Sequence, residues 1–101
     1  MLDLPAALAE LHERFSMGLL LCEGGPHLNA ELLAAGLVDE MFLSLAPKLA
    51  GGDPASGAGL RILSGAELDP PVELELLGLL ESDSHLFLRY GVRSLTSPPR
   101  V

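Results

Sequence analysis

Apolar residues recur at helical spacing from the start of the chain, at Leu4, Leu8, Leu11 and Phe15, while Glu10, His12, Glu13 and Arg14 fall mostly on the other side. Asp3 can cap the free N–H groups and Pro5 suits a first turn, so the pattern predicts an amphipathic helix. The pattern then changes to Gly18-Leu19-Leu20-Leu21-Cys22, a short, continuously apolar run without alternation. Such a run predicts a strand buried on both faces in the middle of a parallel sheet, with Cys22 as a core residue.

Glu23-Gly24-Gly25-Pro26 follows. Glycines give the chain freedom to turn, and a proline with a fixed dihedral and no N–H suits a first helical position. A helix is predicted from Pro26 to Ala35, with Leu28, Leu32 and Leu33 on one side, ended by Gly36 in a left-handed stop and Leu37 packing back. From Val38 to Ala46 the period becomes two, with Met41, Leu43 and Leu45 on one face, which predicts a second strand. Strand, helix and strand would form a right-handed crossover with parallel strands, and the Gly-Gly turn would lie at the carboxyl end of the first, where ligands bind.

Pro47 to Gly59 is rich in glycine and proline and long for a loop, which makes it a candidate lid. Val72 to Glu81 and His85 to Val92, separated by Ser82-Asp83-Ser84, predict a β-hairpin. The tail from Ser94 to Val101 is expected to be loose. The fold class is therefore α/β.

Composition narrows the functions open to this chain. Its 101 residues allow one domain with a thin core, built from leucine and alanine, since aromatics make up only 4% against 49% apolar residues. This much apolar surface suggests a partner, either a second copy or a missing part of the fold. The formal charge is −8, from 14 acidic and 6 basic residues, which disfavours nucleic acid and anionic membranes and leaves a small molecule as the expected ligand. A phosphorylated ligand would have to be held by local donors. One cysteine rules out an internal disulfide and a thiol-based zinc site. No run is long enough to span a membrane and no signal peptide is evident, so the cytoplasm is the expected location.

The most informative stretch is the turn before the second helix. The first N–H groups of a helix lack backbone partners and point outward with the positive end of the dipole, so they can hold a phosphate or pyrophosphate. A tight turn with no ligand is the alternative. Glu23 can accept hydrogen bonds from a ligand beside the cleft, or cap the helix as a nearby negative charge. His27 can donate to an anionic oxygen or be an exposed first-turn residue without a role.

Other candidates read as structural. His12 and His85 are expected to face solvent, and no metal site can be assembled around them. Asp39 and Glu40 fall at a strand start as a turn cap and an exposed charge. Lys48 and Arg61 can reach a phosphate but are more simply solvated loop charges, and Arg89 is expected to face outward opposite an acidic neighbour. No serine sits in a nucleophile elbow, and the zinc-binding signatures of a deaminase are absent.

Three segments in order carry a resemblance: Leu-Cys-Glu-Gly-Gly-Pro-His-Leu from Leu21, Leu-Leu-Ala-Ala-Gly-Leu-Val-Asp-Glu from Leu32, and Leu-Ala-Pro-Lys-Leu-Ala-Gly-Gly-Asp from Leu45. Together with Leu86-Phe87-Leu88-Arg89-Tyr90, they resemble the riboflavin-biosynthesis pyrimidine reductase family, including the reductase half of a bifunctional deaminase-reductase. The resemblance implies a dihydrofolate-reductase-like mixed sheet flanked by helices, here a partial domain ending in a hairpin. It further implies NADPH as cofactor and hydride transfer to the ribose carbon of a ribosylaminopyrimidine phosphate. Gly24, Gly25, Pro26, His27, Leu28, Asn29, Ala30 and Glu31 fall on the family's cofactor-binding turn and helix start, and Glu23 on its substrate-contacting acid. Domains of that family are roughly twice as long. Residues 1–93 are thus expected to be the C-terminal, cofactor-binding half, and 94–101 a tail. The competing expectations are another oxidoreductase on the same fold and a non-catalytic oligomerising module.

Overall fold

A computed structural model describes residues 3–52 and 61–93. The chain divides into two compact units, one of Met1–Leu37 with Arg61–Glu67, the other of Val38–Leu60 with Leu68–Val101.

The first unit holds two helices. Helix α1 spans Leu4–Phe15 and starts where its sequence says it should: Asp3 is the N-cap, its Oδ1 accepting from the Ala6 N–H at 3.1 Å, and Pro5 lies in the first turn. This bond satisfies one of the free donors that every helix start carries. The helix ends at Ser16, which adopts a left-handed conformation and donates its N–H to the His12 carbonyl at 2.9 Å. His12 is exposed, yet its Nδ1 donates to the Met17 carbonyl at 2.8 Å, fastening the chain just past the helix. Glu10 and Arg14, four residues apart on the exposed face, pair at 2.8 Å.

Helix α2 spans Pro26–Ala34, and its end is the glycine stop expected from sequence. Gly36 has φ +71°, its N–H donates to the Leu33 carbonyl at 3.1 Å, and the Leu37 N–H donates to the Leu32 carbonyl at 3.0 Å. These two bonds are the Schellman pattern, in which glycine tolerates the left-handed position and the last carbonyls find partners. Ala30 and Leu32 on this helix, 1% and 8% exposed, form the buried apolar core among the described residues.

The second unit is a three-stranded antiparallel sheet in the order β1-β3-β2, with β1 at Glu40–Leu45, β2 at Leu74–Ser82 and β3 at His85–Val92. Asp83 and Ser84 join β2 to β3 in a two-residue turn, both with positive φ, the hairpin geometry whose twist matches the flanking strands. The Ser84 N–H donates to Glu81 Oε2 at 3.0 Å, so the turn also has a side-chain brace. Register places Leu43 and Leu79 opposite Leu88, and Met41 and Leu76 opposite Tyr90, which makes one face apolar. The other carries Phe42, Phe87, Leu80, Glu40, Glu75 and Arg89. A bulge falls between Leu76 and Gly78, where Leu77 is the extra residue.

The apolar run Gly18–Cys22 departs from expectation. It forms no strand, Leu19 and Leu21 are 90% and 76% exposed, and Cys22 is exposed rather than in a core. A strand exists through its ladder, and a parallel one needs a neighbour that no tight turn can supply. Among the described residues no strand pairs with this run, and every strand pairing is antiparallel. The predicted parallel crossover is therefore absent there. The ends of β1 and β2 shift by one to two residues from the predicted bounds, the fraying normal at element ends, while β3 has the predicted bounds. Of the proposed lid, residues 47–52 lack regular structure, while 53–59, like the tail 94–101, lie outside the described residues. No described helix is long and apolar enough to cross a membrane.

Candidate functional site

The start of α2 is built on two glycines with different jobs. Gly24 has φ +85°, a conformation that side chains disfavour, and a Cβ there would lie 3.2 Å from Asn29 Nδ2. Gly25, the N-cap, has φ −82°, and a Cβ built on it would meet nothing within 4 Å. The peptide between them is cis. Gly24 is thus demanded by the backbone, whereas Gly25 leaves open space above the turn.

Pro26 has no N–H, and the first helical bond runs from the Asn29 N–H to the Gly25 carbonyl at 2.9 Å. The N–H groups of His27 and Leu28 precede that bond and have no partner in the described backbone. Two free donors at the positive end of a helix dipole, beside an open glycine, form an arrangement that can accept an anionic oxygen.

A segment distant in sequence closes one side of this turn. The Ser64 N–H donates to the Pro26 carbonyl at 3.2 Å, and Asn29 Nδ2 donates to the Ile62 carbonyl at 3.2 Å. Gly65, with φ +87°, lies against the ring of His27, so closely that a Cβ there would fall 2.5 Å from His27 Cδ2. The sequence reading passed over this segment. Its signal is Gly65 following Ser64, a dipeptide that marks a turn with special backbone geometry.

The residues singled out from sequence are distributed unevenly around the turn. Gly24, Gly25, Pro26, His27, Leu28 and Asn29 come together on it. Ala30 is buried within α2, and Glu31 is exposed one step further along the helix, its carbonyl accepting from Ala35. Glu23 is exposed just before the turn and makes no hydrogen bond or ion pair with any described residue; α2 has no side-chain cap. Its carboxylate is accessible to a ligand and is not spent on capping.

Several other singled-out residues are engaged in the sheet and its turn. Arg89 grips Glu40 with both ends of its guanidinium, Nη2 to Oε1 at 2.6 Å and Nε to Oε2 at 3.1 Å. The hydrogen bonds to Glu40, and then the Coulombic attraction, raise the Arg89 pKa above its ordinary value, against a smaller opposing desolvation. Asp39 contributes its carbonyl to the Val92 N–H. His85 is half-buried, its Nδ1 donating to the Asp83 carbonyl at 3.0 Å and its ring stacked toward Phe87. Lys48 and Arg61 are exposed. No three histidine, cysteine or carboxylate side chains come together as metal ligands among the described residues.

The family described as RibD C-terminal domain matches residues 1–88. The chain belongs to the RibD C-terminal domain family. Two solved forms of Acinetobacter baumannii RibD share its fold. One has a TM-score of 0.75 at 23% identity over 92% of this chain, and the other has 0.73 at 24% over 93%. A pyrimidine reductase-like protein from Corynebacterium diphtheriae superposes with a TM-score of 0.71 at 24% identity over 93% of the chain. The chain spans only 25% and 26% of the two RibD chains and 36% of the third. No match is found among curated proteins. These likenesses establish the dihydrofolate-reductase-like α/β fold for this member of the RibD C-terminal family.

Proposed function

We propose that this chain is the nicotinamide-binding half of a reductase acting in riboflavin biosynthesis on a ribosylaminopyrimidine phosphate. The observation that carries the reading is the glycine turn at the start of α2, with its open space over Gly25 and the free N–H groups of His27 and Leu28. Membership of the RibD C-terminal family supports it.

The donor set fits a pyrophosphate. Backbone N–H groups of His27 and Leu28 would take its oxygens, the His27 ring stands beside them, and Gly25 lets the ligand approach. The net charge of −8 supplies no attraction, so affinity must come from these short-range donors. NADPH, when bound, supplies the hydride that converts the ribose ring to the open ribityl chain. The protein's part is alignment and exclusion of water. Glu23, exposed and unengaged beside the turn, would accept hydrogen bonds from substrate hydroxyl or amino groups and fix the orientation of the carbon to be reduced.

The reading includes a partner. Exposed Leu19 and Leu21 in one unit, and separately the sheet face with exposed Leu76 and Leu79 in the other, are each the kind of apolar surface that a second copy or further chain of the same domain covers. The protein is proposed to work in the cytoplasm, where the single exposed Cys22 stays reduced.

Turnover tests the proposal. The chain, alone and together with the N-terminal part of a RibD reductase domain, is supplied with NADPH and either the ribosylaminopyrimidine phosphate or a pterin. NADPH consumption with ribityl product is the expected result. Turnover of the pterin alone would replace the reading with another oxidoreductase of the same fold, and a folded assembly that consumes neither would leave an oligomerising module.

A further inference from the structure

The brace that closes one side of the glycine turn points to a role for Asn29 that goes beyond its place among the turn residues. Its carboxamide sits over Gly24 and donates to the Ile62 carbonyl, while its own N–H makes the first helical bond to Gly25. One residue therefore ties together the turn, the helix start and a segment 33 positions along the chain. Two further contacts secure the same segment, the Ser64 N–H on the Pro26 carbonyl and Gly65 against the His27 ring.

We infer that Asn29 is a positioning residue, the latch by which the Ile62–Gly65 segment holds the ligand-binding turn in shape. The inference rests on the cofactor reading for its ligand and on the hydrogen bonds alone for the latch. One of the two Nδ2 hydrogens is committed to Ile62, so losing the side chain detaches the segment whether or not the second hydrogen meets a ligand. His27 is aimed in the same way, since Gly65 lets the ring lie where any larger residue would expel it. Hence Gly65, which makes no hydrogen bond of its own to the turn, governs the orientation of the His27 side chain beside the free N–H groups.

The two parts are separable by experiment. Amide hydrogen exchange at Ser64, whose N–H reports attachment of the segment to Pro26, is measured in the unaltered chain and in Asn29→Ala, Asn29→Gln and Gly65→Ala. Each sample is also titrated with NADPH. In Asn29→Ala, Ser64 is expected to exchange about fivefold faster, the effect of losing one neutral hydrogen bond, and in Gly65→Ala at least as much faster, because a Cβ there collides with the His27 ring. NADPH affinity is expected to fall by a similar factor while the β2–β3 hairpin amides keep their protection. Asn29→Gln, which retains a carboxamide donor, recovers part of both.

Unchanged Ser64 exchange in both disrupting variants overturns the latch. Faster exchange with unchanged NADPH affinity overturns the positioning role. Weaker NADPH binding in Asn29→Ala with unchanged exchange would make Asn29 a direct ligand contact, and so also overturns it. Failure of the unaltered chain to take NADPH defeats the cofactor reading instead, and the exchange arm then decides the latch by itself. Should Gly65→Ala unfold α2, Asn29→Ala carries the exchange test.

Discussion

The β2–β3 hairpin and the run Gly18–Cys22 are both leucine-rich and apolar, yet one is a complete ladder and the other is exposed chain. The difference is the location of the partner. The Asp83–Ser84 turn returns β3 directly onto β2, so the hairpin closes through a two-residue loop, and the free side of β3 then offers β1 a preformed edge to pair with from a distant part of the chain. The apolar run has no such turn on either side. Burial potential alone does not make a strand; a backbone partner within reach does.

Placing proline in both regions sharpens this contrast most. Leu88 is in the central strand, between Leu43 and Leu79, and Leu88→Pro removes a ladder donor there. It should cost about 3 kcal/mol or more and abolish the sheet's cooperative urea transition. Leu20→Pro in the exposed run should change stability by less than about 0.5 kcal/mol. A comparable loss at both positions, measured by circular dichroism during urea titration, would show that the run is laddered after all.

A smaller gain is expected in the turn. Ser84 has φ +64°, so Ser84→Gly relieves a disfavoured conformation and should stabilise the hairpin by about 0.5 kcal/mol, read as a higher urea midpoint. Smaller still is the effect of Leu20→Lys on stability, within about 0.5 kcal/mol. It should, however, lower self-association in light scattering if the exposed run is a contact surface.

The least sensitive element is the Glu40–Arg89 pair on the mixed face of the sheet. Arg89→Gln should shift the urea midpoint slightly, and less in about 1 M salt, where screening acts within about 3 Å. A raised pKa means that the stability tied to Arg89 is fully present below the ordinary arginine range and is lost only as pH rises through the folded value. Near neutral pH the pair should therefore give no pH dependence, and a midpoint in Arg89→Gln that diverged from the unaltered chain between about pH 6 and pH 8 would contradict this.

These contrasts also explain how much was legible in sequence. Local chemistry was: Asp3 as a cap, Gly36 as a stop with Leu37 behind it, and Ser82-Asp83-Ser84 as a hairpin connection, of which Ser82 joins the strand, all act within a few residues of themselves. The glycine turn and the start of α2 at Pro26 were legible for the same reason, and the ordered motifs identified the family that residues 1–88 match. Cys22 and the leucines before it were misplaced because their pattern records what they would bury against, while the described strands pair elsewhere. Gly65 and Ile62 escaped notice because their part in the turn depends on a contact across the chain, and no spacing rule links them to His27 and Asn29.

The most direct test of the account is a fluorescence titration with NADPH of the unaltered chain and of Gly25→Val. Gly25 is the right position because its φ of −82° is open to any residue and nothing surrounds it, so a side chain there occupies ligand space without straining the turn as one at Gly24 would. Saturable binding that weakens by about tenfold or more in the variant, a loss of about 1.4 kcal/mol, is the predicted result. Equal affinity in the two folded proteins would contradict the assignment of the α2 turn as the cofactor site.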